Sequence, residues 1–314
     1  MTTEVKRSSL AKRMKAKYLT PKTLGRFVVA VCKYTLLIGI SFVILFPFVV
    51  KLSSTFMSRE DLLDQTVRYI PRNPTLDNLK VVLKESNYWV GLRNTAIISF
   101  MAASIQTFIS AFVGYGLGRF QFRGRNVFFV LVLLTLLIPP QTLTVPMFLT
   151  FQQLGLVSFT VGWFPLPIPL LLLSLFGIGL KNGLFIFIMM QYFKNMPSEL
   201  TEAAYVDGYG VFSAYFRIML PLAKSMLATL FLLSFSWQWS DTFYSNMFFR
   251  SLDSLPKVLQ SVFNLSSVGA TEGSMLGSVY NNCAGLLIVA PLALLYLFTQ
   301  RFFTQGIEKS GIVG

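Results

Sequence analysis

Histidine is absent from the 314 residues, and cysteine occurs only as Cys32 and Cys283, both inside apolar segments. Without histidine there is no Ser-His-Asp triad and no zinc site with His ligands, and two cysteines so placed make no disulfide framework. Each cysteine reads as a small buried hydrophobe. Charge is scarce as well: 13% of residues are Asp, Glu, Lys or Arg, with 13 acids against 27 bases and a formal net charge of +14. Such an excess can signal a polyanion partner. Here, however, eight of the 27 Lys and Arg fall within residues 1–26 and the rest are scattered between apolar runs, with no basic face interleaved with aromatics. The pattern argues against nucleic acid.

What is abundant is apolar. Hydrophobic residues make up 54% of the chain, Phe alone numbers 31, and the mean hydropathy is +0.62. A bilayer protein is the natural reading. A helix needs about 20 mostly apolar residues to cross the hydrocarbon core, where every backbone polar group must be satisfied internally. Six segments meet this: 27–50, with Lys33 near its start; 95–117 and 127–149, without charge; about 163–192, interrupted by Lys181-Asn182-Gly183; 225–249, with Asp241; and 279–303. Lys33 lies two turns inside and can snorkel to the interface. Pro139, Pro140 and Pro146 predict a kink or break in the third span, and Asn281-Asn282 reads as the opening of the sixth.

The expected architecture is an all-α integral membrane protein with six transmembrane helices. The basic segment 1–26 carries Lys6, Arg7, Lys12, Arg13, Lys15, Lys17, Lys22 and Arg26 against Glu4 alone, which keeps it cytoplasmic under the positive-inside rule. Six crossings return the C-terminus to the same side, and 27–314 reads as one membrane domain. Its segment 51–94, with Arg59, Glu60, Asp61 and Asp64 ahead of Pro71 and Pro74, is expected to form a small extracytoplasmic loop, with Thr75 capping a short helix from Leu76. A cleaved leader is not expected, because the first apolar run exceeds an h-region and no small-residue cleavage pattern follows Val50.

The stretch 191–224, between the fourth and fifth spans, has no lipid-length apolar run. Met196-Pro197-Ser198 is a helix-start signal, Leu200, Ala203 and Ala204 share one face, and Gly208 offers a turn. A second helix presents Val211, Tyr215 and Ile218 before Pro221 breaks it. On pattern alone this is either a helix–turn–helix docking element, with Glu202 and Asp207 open to a basic partner, or a pair of interfacial helices lying on the membrane.

Residues 202–221 resemble the EAA signature of ATP-binding-cassette (ABC) importer permeases: Glu202-Ala203-Ala204, Gly208 six positions after the Glu, Ile218 ten later, then Leu220-Pro221. Asp207-Gly208, with Pro197 to Leu200 before it, resembles the carbohydrate-uptake (MalG-like) branch. Tyr115, Arg119, Phe120, Phe122, Gly124 and Arg125 resemble that family's second cytoplasmic signature, Pro74-Thr75-Leu76-Asp77-Asn78 its outer-loop motif, and Phe302-Phe303 with Gly306 to Gly314 its tail. Met190 stands where the family often has Arg, and the fourth span looks lengthened around Lys181. The resemblance implies a type I importer permease fold. It also implies a heterodimer with a second permease subunit, a cytoplasmic ATPase dimer that binds ATP and Mg2+ and receives 191–224 as a coupling loop, and an extracytoplasmic solute-binding protein. It implies no cofactor on this chain and no enzyme activity of its own, in keeping with the lack of a G-x-x-x-x-G-K-[ST] loop. The location implied is the cell membrane, multi-pass.

Polar residues at membrane depth are candidates for a solute pathway. Trp237, Asp241 and Tyr244 fall on one helical face at i, i+4 and i+7 and would suit a sugar; the same residues would equally form an interface belt or pack between helices. Lys181 could face the pathway, meet an acid across a subunit interface, or mark a break in span four. The function expected is a carbohydrate importer permease, with an oligosaccharide as the first expectation and another solute (peptide, glycerol phosphate or amino acid) as the alternative. A membrane enzyme or a gradient-driven transporter lies further off.

Overall fold

The computed structural model describes residues 21–64, 66–157, 160–161, 164–249, 252–266 and 271–311. The basic segment through residue 20, the start of span four at Trp163, and the last three residues of the tail lie outside them. The chain divides into two compact units, Met1–Thr75 and Leu76–Gly314.

In the first unit, α1 (Pro21–Thr55) is a continuous apolar helix. Its stretch Gly25–Thr55 has a mean hydropathy of 2.3, with none of the most apolar window buried by the chain itself. Cys32 is therefore exposed, against the expectation of burial. Beyond it the chain folds on polar contacts. Ser58 caps α2 (Arg59–Leu63) by accepting the Asp61 N–H at 3.1 Å, and the buried Asp61 carboxylate accepts the Asn73 N–H at 3.0 Å. Asp64 accepts from the Thr66 hydroxyl and N–H and from Arg72 at 2.9 Å. Those bonds, the Thr66 hydroxyl foremost, hold its carboxyl below the ordinary aspartate range.

The second unit opens with α3 (Asp77–Glu85), whose N-cap position is Leu76; the preceding Thr75 donates its N–H to the Phe56 carbonyl at 2.8 Å. The axis of the unit is α4 (Tyr88–Arg119), which begins seven residues before the expected span. Its inward face is small or polar, with Asn94, Thr95, Ser99, Ala102, Ala103, Gln106, Ser110, Ala111 and Gly114 buried, whereas Phe100, Phe108 and Phe112 point outward. This is the membrane pattern: where the surroundings are as apolar as Leu, helices associate through close backbone approach and hydrogen bonds.

The third span breaks where the prolines predict. Helix α5 (Arg125–Leu137) ends before Pro139, a 3-10 turn covers Pro140–Leu143, and α6 (Thr144–Gln153) runs on at 92°. Pro146 sits in the first turn of α6, where a missing N–H is harmless. A two-residue antiparallel pair follows, β1 (Thr160–Val161) with β2 (Phe164–Pro165). Span four is two helices, α7 (Ile168–Leu175) and α8 (Asn182–Lys194), joined by a tight turn with Gly177 at φ +74° and Lys181 at φ +59°.

Two features hold this unit together. Gly114 and Gly118 bring the α4 and α8 backbones into contact: a Cβ at Gly114 would stand 2.6 Å from the Met189 Cβ, and one at Gly118 would stand 2.8 Å from the Met190 carbonyl. A polar node sits beside them. Gln106 donates to the Ser174 hydroxyl at 3.2 Å and accepts from Ser234, while Asn182, fully buried, donates to Ser110 at 3.3 Å. Gly179 packs directly over the Gln106–Ser174 bond.

A loop of short helices follows, α9 (Glu199–Val206), α10 (Val211–Ala214) and α11 (Leu220–Leu222). After it, α12 (Lys224–Trp239), α13 (Phe243–Phe248), α14 (Leu255–Ser266) and α15 (Thr271–Gly311) complete the unit. Thr95 accepts the Leu255 N–H at 2.7 Å, and the Trp239 indole donates to the Ile288 carbonyl at 3.0 Å. Because α15 begins at Thr271, Asn281 and Asn282 lie inside the helix, not at its terminus as expected. Cys283 beside them is buried. By length and composition the described residues contain three spanning helices, or five when each bent pair counts as one span.

Candidate functional site

The loop between α8 and α12 folds as a helix–turn–helix. Helix α9 carries Glu199 and Glu202 in its first turn, where the helix dipole favours acid. It ends in a Schellman motif: the Tyr209 N–H donates to the Ala204 carbonyl at 2.9 Å, the Gly208 N–H to the Tyr205 carbonyl at 3.1 Å, and Gly208 takes φ +80°. Only glycine enters that region without strain. Helix α10, a π-turn (Tyr215–Met219) and α11 follow, and the chain bends by 76° into α12.

The buried face of α9 is Thr201 and Ala204; of the residues expected to share one face, Leu200 and Ala203 are exposed and Ala204 is buried. Ala203, Glu202, Asp207 and Gly208 are exposed, and Val206 is 88% exposed. On the second helix, expected to present Val211, Tyr215 and Ile218 on one face, Tyr215 is buried and Ile218 half-buried while Val211 at its start is exposed. Pro221 does not break the helix. It occupies the first turn of α11, and the bend falls after Leu222, where the buried Ala223 N–H is shared between the Met219 and Leu220 carbonyls at 3.1 Å each.

Beneath this loop lies an aromatic core drawn from three elements. Tyr215 stacks obliquely on Tyr115 of α4 at 4.8 Å between centroids, and both meet Phe193 of α8. Met219, Ala223, Met226 and Leu230 extend the cluster into α12, with Ile218 and Leu220 packed against it. Arg119, at the end of α4, donates to the carbonyls of Met196 at 2.9 Å and Pro197 at 2.8 Å and to the Thr201 hydroxyl at 3.2 Å. Tyr192 and Leu222 join the two feet of the loop at 3.4 Å. The sequence places Arg119 in a signature without indicating its contacts, and it gives no sign of Thr201. Two of the three acceptors are backbone carbonyls, which leave no side-chain signal.

The candidate pathway residues fall into two groups, Lys181 with Trp237 and Asp241 with Tyr244. Helix α12 ends at Trp239, and the Asp241 carboxylate turns back to accept the Ser245 N–H at 3.0 Å in the first turn of α13, so the face shared by Trp237, Asp241 and Tyr244 does not exist. Asp241 and Tyr244 are buried, Tyr244 among Ile98, Leu170, Leu173 and Phe248. Trp237 stacks instead on Phe185 at 5.6 Å, and the exposed Lys181 places its Nζ 5.9 Å from the indole centroid.

A groove of about 740 Å³ between α6 and α13 is lined by Gln141, Thr144, Thr242 and Asn246 together with Phe148 and Phe243. Among the described residues no group of His, Cys, Asp or Glu is placed to hold a metal ion.

The described fold is similar to that in the crystal structure of a bacterial ABC transporter involved in the import of the acidic polysaccharide alginate, with a TM-score of 0.69 and 21% identity over 89% of this chain and 98% of that one. In sequence, the arabinooligosaccharides transport system permease protein AraQ of Halalkalibacterium halodurans is 29% identical over 88% of this chain and 93% of its own length. The maltodextrin transport system permease protein MalD of Streptococcus pneumoniae is 27% identical over 90% and 94%. The family described as the binding-protein-dependent transport system inner membrane component matches residues 106–309, which take in Gln106, the Arg119 clamp and the whole helix–turn–helix, and the chain belongs to that family.

Proposed function

We propose that this chain is the permease subunit of an ATP-driven importer for a carbohydrate, with an oligosaccharide as the cargo. Family membership makes it a membrane transport subunit that works with an ATPase and a solute-binding protein rather than an enzyme itself. The carbohydrate assignment follows the relatives, which are permeases named for arabinooligosaccharides, maltodextrin and galactooligosaccharides. A second permease subunit completes the pathway, and the chain crosses the cell membrane six times with both termini in the cytoplasm. In this reading the three long helices, the bent pair α5–α6, the α12 half of the second bent pair, and α7 with α8 are the six crossings; by length and composition alone there are three spanning helices, or five with each bent pair counted as one. ATP and Mg2+ stay on the partner ATPase, and this chain binds no cofactor.

The observation that carries the reading is the loop 191–224. It presents Glu202, Ala203, Asp207 and Gly208 outward at a Schellman turn, with the aromatic core and Arg119 fixing it to three elements. A surface of small residues on a rigid support suits a groove in the ATPase, and Ile218, Leu220 and Pro221 pass its movement into α12. Replacing Gly208 by Pro, which removes a capping N–H and forbids φ +80°, or Glu202 by Lys is expected to abolish uptake in proteoliposomes while the subunit still inserts. Normal uptake with normal ATPase assembly in both variants would refute the coupling assignment.

A further inference from the structure

Lys181 is the only charged residue between Arg125 and Lys194. It stands thirteen residues before Lys194, and Trp237 stands thirteen after Lys224. Both therefore lie about 20 Å along their helices from the loop ends, inside a hydrocarbon core about 30 Å thick. A lysine there carries a charge that lipid cannot solvate, so it must face a water-filled path or an anion.

The fold fixes it in place. Lys181 adopts φ +59°, a conformation unfavourable for a side chain with a Cβ, at a turn determined from both sides. Asn182 is buried against Ser110, Gly179 packs on the Gln106–Ser174 bond, and a Cβ at Gly183 would strike Thr135 and stand 2.8 Å from the Val132 carbonyl. The ammonium leans over the half-buried indole of Trp237, whose ring is held by Phe185. The ion pairs seen among the described residues, such as Arg72–Asp64 and Lys80–Asp77, do not involve Lys181. Asp241, the nearest acid in sequence on the facing span, is buried and engaged by Ser245.

A flat aromatic ring beside an unneutralised cation matches one kind of cargo. A carboxylate on a sugar ring takes the ammonium in a charge-assisted hydrogen bond while the pyranose lies against the edge of the indole, whose ring Phe185 stacks on and the ammonium overlies. We propose that Lys181 and Trp237 form a subsite for an acidic sugar, so that the solute carried is an anionic saccharide; this rests on the carbohydrate-transport reading above.

The test uses the complete transporter in proteoliposomes with its binding protein, supplied with oligogalacturonate or with the methyl ester of the same oligomer. The unmodified complex is expected to take up the acid. Lys181→Gln should lower acid uptake roughly ten- to a hundred-fold, the range of one charge-assisted hydrogen bond, with Lys181→Arg recovering most of it. Because the binding protein is the same throughout, its own preference cancels between variants. Trp237→Leu should lower uptake of acid and ester alike. Acid uptake unchanged in Lys181→Gln, or uptake of the ester alone by the unmodified complex, would overturn the subsite while leaving saccharide transport standing. Loss of the second permease subunit from purified Lys181→Gln would also overturn it, assigning the lysine to an intersubunit pair. Uptake of neither probe would overturn the anionic cargo, and refusal of arabino- and maltooligosaccharides as well would overturn the carbohydrate reading itself.

Discussion

Tyr215 concentrates the energetics of the loop in one side chain. Its ring is buried against Tyr115, Phe193 and Phe216, yet its hydroxyl has no hydrogen-bond partner among the described residues. A buried unsatisfied hydroxyl is a standing penalty of about 1–3 kcal/mol. Tyr215→Phe is therefore expected to leave stability unchanged or to raise it by about 1 kcal/mol, measured as the thermal midpoint of the purified complex; a fall of several degrees would mean that the hydroxyl is bonded in the working protein. Arg119→Ala has the opposite expectation. It strips the donors from two carbonyls at the foot of α9 and should weaken coupling, read as ATP hydrolysed per solute imported, more than it weakens insertion. Lys181 belongs to the same scale: its charge was legible in the sequence, but its neighbour was not, because the turn that aims it at Trp237 depends on Asn182 and Gly179 packing against another helix.

At the scale of elements, the prolines and glycines spoke most clearly. Pro139-Pro140 announced the break before α6, and Gly208 the turn after α9, since each acts through local backbone geometry alone. The faces of the loop helices were illegible for a matching reason. Which side of these short helices is covered is set by tertiary packing, as the burial of Tyr215 against Tyr115 and Phe193 beside the exposed Val211 shows. The expected stripe of Trp237, Asp241 and Tyr244 failed similarly, because the helix ends at Trp239 where Ser240 donates back to the Ser236 carbonyl at 3.1 Å. The contact of α4 with α8 offers a controlled experiment. Gly114 and Gly116 are two residues apart on one helix, but a Cβ at Gly114 would strike Met189, whereas one at Gly116 meets nothing within 4 Å. Gly116→Ala should be neutral or stabilising by up to about 1 kcal/mol through helix propensity, and Gly114→Ala should be destabilising, both measured by thermal aggregation in detergent. Equal effects would show that the two helices are not in close contact.

For the whole molecule, composition already dictated a membrane protein, and the family signature dictated its kind, yet the number of crossings was the least legible property. The third span is bent by 92°, the fourth is interrupted at Lys181, and the fifth stops at Trp239 and resumes at Phe243, so three of the six apolar runs are not single straight helices. Reporter fusions give a direct check. Joins after Val157 and after Ser254 should report the extracytoplasmic side, and joins after Arg123, Gly208 and Gly314 the cytoplasm; a cytoplasmic signal after Val157 would remove the third crossing. The same assembly contains a built-in ruler. Arg119 bolts the end of α4 to the foot of α9, whereas Ala223 is an elbow between the loop and α12. Spin labels at Gln121 and Glu199 should keep one separation throughout the ATP cycle, and labels at Glu199 and Ser236 should not. A pair on either side of the bolt thus calibrates the pair that spans the elbow, and the movement that the proposed coupling role requires can be read in ångströms from within a single chain.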